Sequence, residues 1–287
     1  MKLFLRLLKE SFVFSFNALI ANPVRTVLSL LGVTIGIFTI IAVLSTVDSL
    51  EKSIKDNLSF LGTDNLRVEK WPWDFNNPSY EWWKFFRRPE PTYREYEFLK
   101  ENLVNAESVE ILTSREGVNV KYSNNSSRVD NLNGVVFENQ FFGDWEFIAG
   151  RFFTQNETLA GSNAAIIGYK IMEDLFKTPD FAIGKQLKIK GKSYTIIGVT
   201  KEQGESFGAG DSFDRQMFIP FNSFKKIFKV GRKGSNAVLR VKGNGDEDPG
   251  LINLEYELRG LIRAKRGTKP IEDDSFAINR PEYLASF

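Results

Sequence analysis

The sequence predicts an α+β protein: a single N-terminal transmembrane helix followed by an extracytoplasmic domain of two lobes. One lobe is a split βαβ sandwich of the ferredoxin-like kind, and the other is a β-rich insertion within it. Three observations lead there. An uncharged run from Thr26 to Val47 lies between Arg25 and Asp48, in a chain that is 26% charged overall. Two strand–helix–strand patterns stand far apart, one from residue 65 and one ending near residue 279. The stretch between them, 118–225, is dense in short strand signals.

Composition narrows the chemistry before any element is placed. The 287 residues are 42% hydrophobic with a formal net charge of +2, which suits one large or two modest domains. No basic stripe marks a phosphate-neutralising face, so nucleic acid is not an expected partner. The chain has no cysteine and no histidine. Disulfide frameworks, thiolate or imidazole metal sites, thiol catalysis and Ser-His triads are therefore excluded. Lys, Asp, Glu, Tyr and Ser remain but form no catalytic pattern, so no catalytic, cofactor-binding or metal residue is assigned.

Residues 2–20, "KLFLRLLKESFVFSFNALI", place Lys2, Arg6, Lys9, Glu10 and Asn17 near one helical face. This reads as an amphipathic helix in the inner membrane interface, residues 1–22, before Asn22-Pro23 turns the chain into the bilayer. The span itself, residues 23–47, is long enough at ~1.5 Å per residue to cross a hydrocarbon core of ~30 Å. Its length, its distance from the N-terminus and the lack of a small-residue cleavage pattern separate it from a signal peptide. Lys2, Arg6, Lys9 and Arg25, against Glu10 alone, put the N-terminus in the cytoplasm. Gly32-x-x-x-Gly36 is a candidate helix-packing face. Leu50, Ile54, Leu58 and Leu61 recur at helical spacing, so residues 48–64 are expected to form a stalk helix that transmits motion.

Past the stalk, "NLRVEK" (65–70) reads as a strand. "WPWDFNNPSYEWWKFFRRPEP" (71–91) reads as an aromatic loop, and its Trp71, Trp73, Trp82 and Trp83 form a candidate partner-binding patch. "TYREYEFLKENL" (92–103) is a helix opened by a capping box of Thr92 and Glu95. Strand character follows from Val109. The second unit has a strand at 236–243, a helix at 248–267 opened by Asp248-Pro249 and closed by Gly267, and a strand at 274–279. Asp246, Glu247 and Asp248 are read as a helix N-terminus rather than a metal site. "GESFGAGD" (204–211) lacks the Gly-Lys-Ser/Thr of a phosphate loop and is read as a hairpin. The lobes are thus 65–117 with 232–287, and 118–231.

In that order the segments resemble the MacB/FtsX-like permeases of ABC transporters. The residues that carry the likeness are Leu31-Gly32-Val33-Thr34-Ile35-Gly36, "GRFFTQNE" with its turn Gly150 to Phe153, and "AAIIGYKIMEDLF". With them go Ile183 to Lys185, Ile197 to Val199, and "MFIP". Gly150, Gly184, Gly191 and Gly198 also have a local reading as turns or bulges between strands. The resemblance implies lobes of the Porter and Sabre kinds, a cytoplasmic-membrane location, and no cofactor bound by this chain. It further implies an ABC ATPase partner that binds ATP, a second permease copy in a homo- or heterodimer, a periplasmic adaptor or substrate protein, and membrane lipid. The implied role is to couple ATP hydrolysis to an extracytoplasmic shape change that exports peptides, drugs or lipoproteins. Family members have three further membrane helices, so a chain stopping at "NRPEYLASF" reads as truncated. The competing readings are a membrane-anchored sensor or binding module and, more weakly, an anchored hydrolase.

Overall fold

The computed structural model describes residues 2–59, 64–73, 80–203, 213–231, 234–245, 247–248 and 251–280. The chain divides into two units, Met1–Ile54 and Lys55–Phe287.

The first unit is helical. Helix α1, Lys2–Ala21, ends at Asn22, and α2, Pro23–Ser59, begins there. Proline at the first helical position has no amide to leave unpaired, and its fixed φ suits the turn. The Asn22 carbonyl accepts from the Thr26 amide at 3.1 Å and from its hydroxyl at 3.2 Å. Within α2, Pro23–Ser49 has a mean hydropathy of 2.6 and its most apolar window is wholly unburied. Hydroxyls are costly in lipid unless satisfied, and this helix satisfies them internally. Thr34, Thr39 and Thr46 donate to the carbonyls of Leu30, Ile35 and Ala42 at 2.7–2.8 Å. Leu50, Ile54 and Leu58 lie on α2, which is helical to Ser59; Leu61 lies outside the described residues.

The second unit takes in the last residues of α2 and continues with β1 (Asn65–Glu69), a single turn α3 (Trp82–Phe85) and α4 (Tyr93–Asn102). Then come β2 (Ala106–Tyr122), β3 (Asn125–Val135), β4 (Phe147–Gly150), α5 (Gln155–Ala160), β5 (Ala164–Ile167), α6 (Tyr169–Phe176) and α7 (Pro179–Ala182). It closes with β6 (Gln186–Ile189), β7 (Lys192–Thr200), β8 (Gln216–Pro220), α8 (Phe221–Phe224), β9 (Ala237–Gly243), α9 (Ile252–Arg266) and β10 (Ala277–Asn279).

The strands form one sheet in the order β10-β1-β9-β2-β3-β8-β5-β7-β4, with β6 pairing β2 and β7. The first four pair antiparallel throughout. With α4 joining β1 to β2 and α9 joining β9 to β10, this is the interleaving of a split βαβ unit. Its core holds Leu66, Val68, Leu99, Ile111, Leu239, Leu254 and Leu258, all at or below 1% exposure. Strand β9 alternates buried and half-buried residues, as one packed face demands. A second core, including Val120, Leu132, Ile167, Tyr194, Ile196 and Phe224, lies among the far end of β2, the strands from β3 onward, α6 and α8. At ~1.5–3 kcal/mol for each fully buried large side chain, these two clusters dominate the folding energy of the unit.

Strand β2 belongs to both halves of the sheet. Val109–Thr113 face Val241–Ala237 of β9, while Thr113–Tyr122 face Gly134–Asn125 of β3. The Thr92–Glu95 capping box is formed as the sequence predicts, and Gly267 closes α9 at φ +66°. Three local expectations shift. The aromatic segment carries the helical turn α3. Strand β2 starts at Ala106 rather than Val109. Helix α9 begins at Ile252, four residues after Asp248, because Leu251 takes a left-handed conformation. The Asp248 carboxylate still caps the helix, accepting from the amides of Asn253 at 3.1 Å and Leu254 at 2.9 Å.

Candidate functional site

The four clustered tryptophans divide into two pairs with different work. Trp71 and Trp73 are half-buried and pinned across the end of the β1–β10 pair. The Trp73 indole N–H donates to Glu69 Oε2 at 3.0 Å, and its backbone N–H donates to Asn279 Oδ1 at 3.0 Å. Asn279 also donates to the Trp71 carbonyl at 2.8 Å. Arg67 covers the Trp73 ring at 5.2 Å and Lys70 covers Trp71 at 5.1 Å. These two rings are structural clamps for the edge strand β10. Trp82 and Trp83, on α3, are 56% and 57% exposed and meet edge to face at 6.0 Å. Phe86, at 65% exposure, is open to solvent as well. Residues 74–79 of this segment lie outside the described residues.

Beneath α3 the chain brings several charges together. The Lys70 ammonium lies 3.8 Å from Glu90, and both side chains are nearly buried. Burial pushes the Glu90 carboxyl up, against the attraction of Lys70. Arg88 covers the Phe85 ring at 4.5 Å, and burial lowers its pKa against the pull of Asp274 and Asp273.

The turn from Gly150 to Phe153 explains its own residues. Gly150 has φ +83°, and the Arg151 amide donates to the Ile197 carbonyl at 3.0 Å. The Arg151 guanidinium grips both Glu157 oxygens at 2.8 and 2.9 Å. That pair, and then the Thr154 amide and hydroxyl, hold the Glu157 carboxyl down at about 2. Glu157 in turn completes a capping box with Thr154 on α5. Phe153 is buried beside Val135, Ile166 and Phe218. Gly198 sits beside the bulge in the β5–β7 ladder, and an added Cβ there would lie 2.6 Å from the Arg151 carbonyl oxygen. These glycines are structural.

Sequence reading missed two features built from distant segments. Trp145 is the hub of an aromatic cluster, with ring centroids 4.8 Å from Phe152 and Phe218 and 5.9 Å from Phe147. Glu110 and Arg240 form a buried ion pair, to which Asn139 Nδ2 adds a hydrogen bond at 2.7 Å. Burial lowers the Arg240 pKa against the charge of Glu110. Nearby the Tyr96 hydroxyl donates to Glu138 at 2.8 Å, and Lys100 pairs with the same carboxylate. Burial keeps Tyr96 protonated, well above the ordinary tyrosine value.

None of these groups presents a nucleophile with a base. Ser223 is fully buried and shares a 3.0 Å hydrogen bond with Tyr194, which is equally buried. Among the described residues no three acidic side chains converge as a metal site. Gly32 and Gly36 have nothing within 4 Å of an added Cβ, so each leaves an open notch on α2. The glycine-rich segment 204–211 lies outside the described residues.

Comparison with known proteins matches this arrangement. The MacB-like periplasmic core domain model matches residues 26–249. The uncharacterized ABC transporter permease YknZ of Bacillus subtilis is 25% identical over 284 residues, 97% of this chain and 66% of that protein. The macrolide export ATP-binding/permease protein MacB of Wolinella succinogenes is 24% identical over 259 residues, 90% of this chain and 38% of that protein. This chain thus spans under two thirds of either relative's length. The crystal structure of the extracellular domain of YknZ, from Gram-positive bacteria, superposes with a TM-score of 0.54 at 24% identity, covering 75% of this chain and 98% of that one. The periplasmic region of MacB from Actinobacillus actinomycetemcomitans gives a TM-score of 0.59 at 16% identity, covering 80% and 94%. These two likenesses speak to fold, and the family match speaks to kinship. The match over residues 26–249 identifies the chain, an apolar N-terminal helix followed by this interleaved β-rich domain, as a member of the MacB-like periplasmic core domain family.

Proposed function

We propose that the chain is the permease subunit of a MacB-type ABC transporter, and that it couples ATP hydrolysis by a separate subunit to a shape change in its extracytoplasmic domain. That change drives export of a peptide, drug or lipoprotein. The observation that supports this most is the family match over 26–249, which takes in the apolar helix and the β-rich domain together. The assignment of ATP hydrolysis to a partner follows the YknZ relative, named a permease, which aligns with 97% of this chain.

The N-terminus is cytoplasmic on this reading, because Lys2, Arg6, Lys9 and Arg25 precede the span against Glu10 alone. Residues 65–117 and 232–287 form the Porter-like lobe, and 118–231 the Sabre-like lobe. Residues 48–64 form the stalk, supported by the extension of α2 to Ser59. Gly32 and Gly36 receive a neighbouring membrane helix of the complex or of a second permease copy. Trp82 and Trp83 face an adaptor or substrate protein.

The test is a tagged pull-down from native membranes, with the gene's own downstream region intact, read by mass spectrometry. Co-purification of a nucleotide-binding ABC subunit is the expected result. A chain that recovers no such subunit would instead be a membrane-anchored sensor or binding module.

A further inference from the structure

We propose that the cavity bounded by the end of β1, the start of α4 and the turn after α8 binds an organic anion: one carboxylate-like group joined to an aromatic or branched apolar body. The cavity encloses about 410 Å³, within the ~300–1,000 Å³ span of small-molecule sites. It is independent of the transport reading.

Charge is the first argument. Lys70, Arg87, Arg88 and Lys225 line the cavity against a single acid, Glu90. Lys70 and Glu90 neutralise each other at 3.8 Å. That leaves three cations facing one space with no lining carboxylate to answer them. Lys225 has no carboxylate within 4.0 Å among the described residues. Its ammonium lies instead over the rings of Tyr93 at 4.5 Å and Phe221 at 5.5 Å. Burial lowers the Lys225 pKa, and the more distant Glu97 only partly offsets this. Arg88 is perturbed in the same direction and for the same reason. A bound anion reverses both penalties, since an opposite charge nearby favours the charged form.

The walls supply the second argument. Tyr93 is half-buried and stacks on the buried Phe221 at 5.5 Å with an interplanar angle of 21°, which holds its ring fixed at the cavity wall beside the cations. Phe86 forms another side of the cavity. Burial raises the Tyr93 pKa, so its hydroxyl stays neutral and adds no competing charge. A small inorganic anion would meet the cations and leave Phe86 and the neighbouring Pro89 bare. A neutral ring compound would cover these apolar walls and leave the cations unanswered. Only a molecule with both parts uses both halves of the site.

The backbone around it is held. The Lys225 amide donates to the Phe221 carbonyl at 3.1 Å, and the Thr92–Glu95 box fixes the start of α4 on which Tyr93 sits. The lining residues come from three segments that only the fold brings together.

The test is a calorimetric titration of the full 287-residue chain in a non-ionic detergent, referenced to micelles alone. The probes are 2-naphthoate, its neutral counterpart 2-naphthamide, and inorganic phosphate. We expect one saturable 2-naphthoate site, weakened about tenfold or more by Lys225→Gln and by Arg88→Gln, the loss of one charge-assisted contact each. Lys170→Gln, on α6, should leave it unchanged. Unaltered melting temperatures confirm that the variants fold, and the exposed Arg87→Gln supplies a third variant. Equal binding of 2-naphthamide would overturn the role of the anion. Equal binding of phosphate would overturn the role of the apolar body. Binding indifferent to all three substitutions, or no saturable heat up to about 10 mM, would overturn the site.

Discussion

Gly150 and Gly191 occupy the same region of backbone space, φ +83° and +81°, yet only one of them is crowded. A Cβ added at Gly150 would lie 2.1 Å from the Ile197 carbonyl oxygen and 2.7 Å from the Gly198 Cα. At Gly191 it would meet nothing within 4 Å. Gly191→Ala therefore carries only the left-handed backbone cost, ~1–2 kcal/mol. Gly150→Ala carries that cost plus an overpacking term of ~1–3 kcal/mol. The oxygen it strikes is also the acceptor for the Arg151 amide, so relaxation sacrifices a hydrogen bond worth ~1 kcal/mol. The totals are about 1–2 against about 3–6 kcal/mol. Thermal unfolding in detergent, followed by tryptophan fluorescence, reads them at ~2–4 °C per kcal/mol for a unit of this size. Trp145, ring-stacked with Phe147 at the other end of β4, reports on the affected strand. We expect Gly150→Ala to lower Tm by at least about 4 °C more than Gly191→Ala. Equal shifts would refute the view that close backbone approach, rather than φ alone, selects glycine in this turn.

The Glu157 carboxyl, held at about 2 chiefly by Arg151, makes stability depend on pH in acid. Its folded pKa lies below its unfolded value of ~4.3, so the contribution is complete above that value and is lost as pH falls through about 2. The shift sets a ceiling of ~3 kcal/mol, and solvent around the half-exposed Arg151 reduces this to about 1 kcal/mol. Glu157→Gln should flatten the dependence of Tm on pH below about 4, and an unchanged slope would count against the pairing. Arg240→Leu should cost ~3–5 kcal/mol in urea unfolding, because Glu110 is left fully buried without its cation. Adding Glu110→Leu should recover most of that loss; a double variant as unstable as the single one would contradict it. Ser53→Pro, inside α2, removes a helix hydrogen bond and clashes with the preceding turn, at ~3 kcal/mol or more. On the permease function proposed above, the variant assayed with its ATPase partner should leave ATP hydrolysis running without export; unchanged transport would remove the stalk from that proposal.

What the sequence made visible was local or periodic. Thr92 and Glu95 announce their helix because both halves of a capping box lie within four residues. Gly267 announces a helix end by the same short-range logic. The interleaved strand order was legible because each βαβ half carries its own pattern of strand, cap and apolar stripe. Leu251 shows the limit: its left-handed backbone delays α9 past the Asp-Pro pair, and a leucine gives no hint of that conformation. Trp145, Glu110 with Arg240, and Lys225 beside Tyr93 escaped notice for a different reason. Glu110 and Arg240, Lys225 and Tyr93, and Trp145 and Phe218 lie many tens of residues apart in sequence, and no spacing rule links residues that only the fold brings together. The four clustered tryptophans mislead in the opposite direction, since nearness in sequence concealed that Trp71 and Trp73 are structural clamps while Trp82 and Trp83 face solvent.

Strand β2 is handed from β9 to β3 at Thr113, which pairs with Ala237 on one side and Gly134 on the other. The Thr113 hydroxyl donates to the Asn236 carbonyl at 2.7 Å, and a Cβ added at Gly134 would lie 3.0 Å from the Thr113 methyl and 2.7 Å from Phe224 Cβ. The two halves of the sheet are therefore joined by a hydrogen-bonded ribbon rather than by a flexible linker. A joint of this kind resists bending across its ladder but yields to rotation about its length, because strand twist is the soft coordinate of a sheet. A change of twist along this ribbon would be carried farthest by the strands most distant from it, β10 and β4.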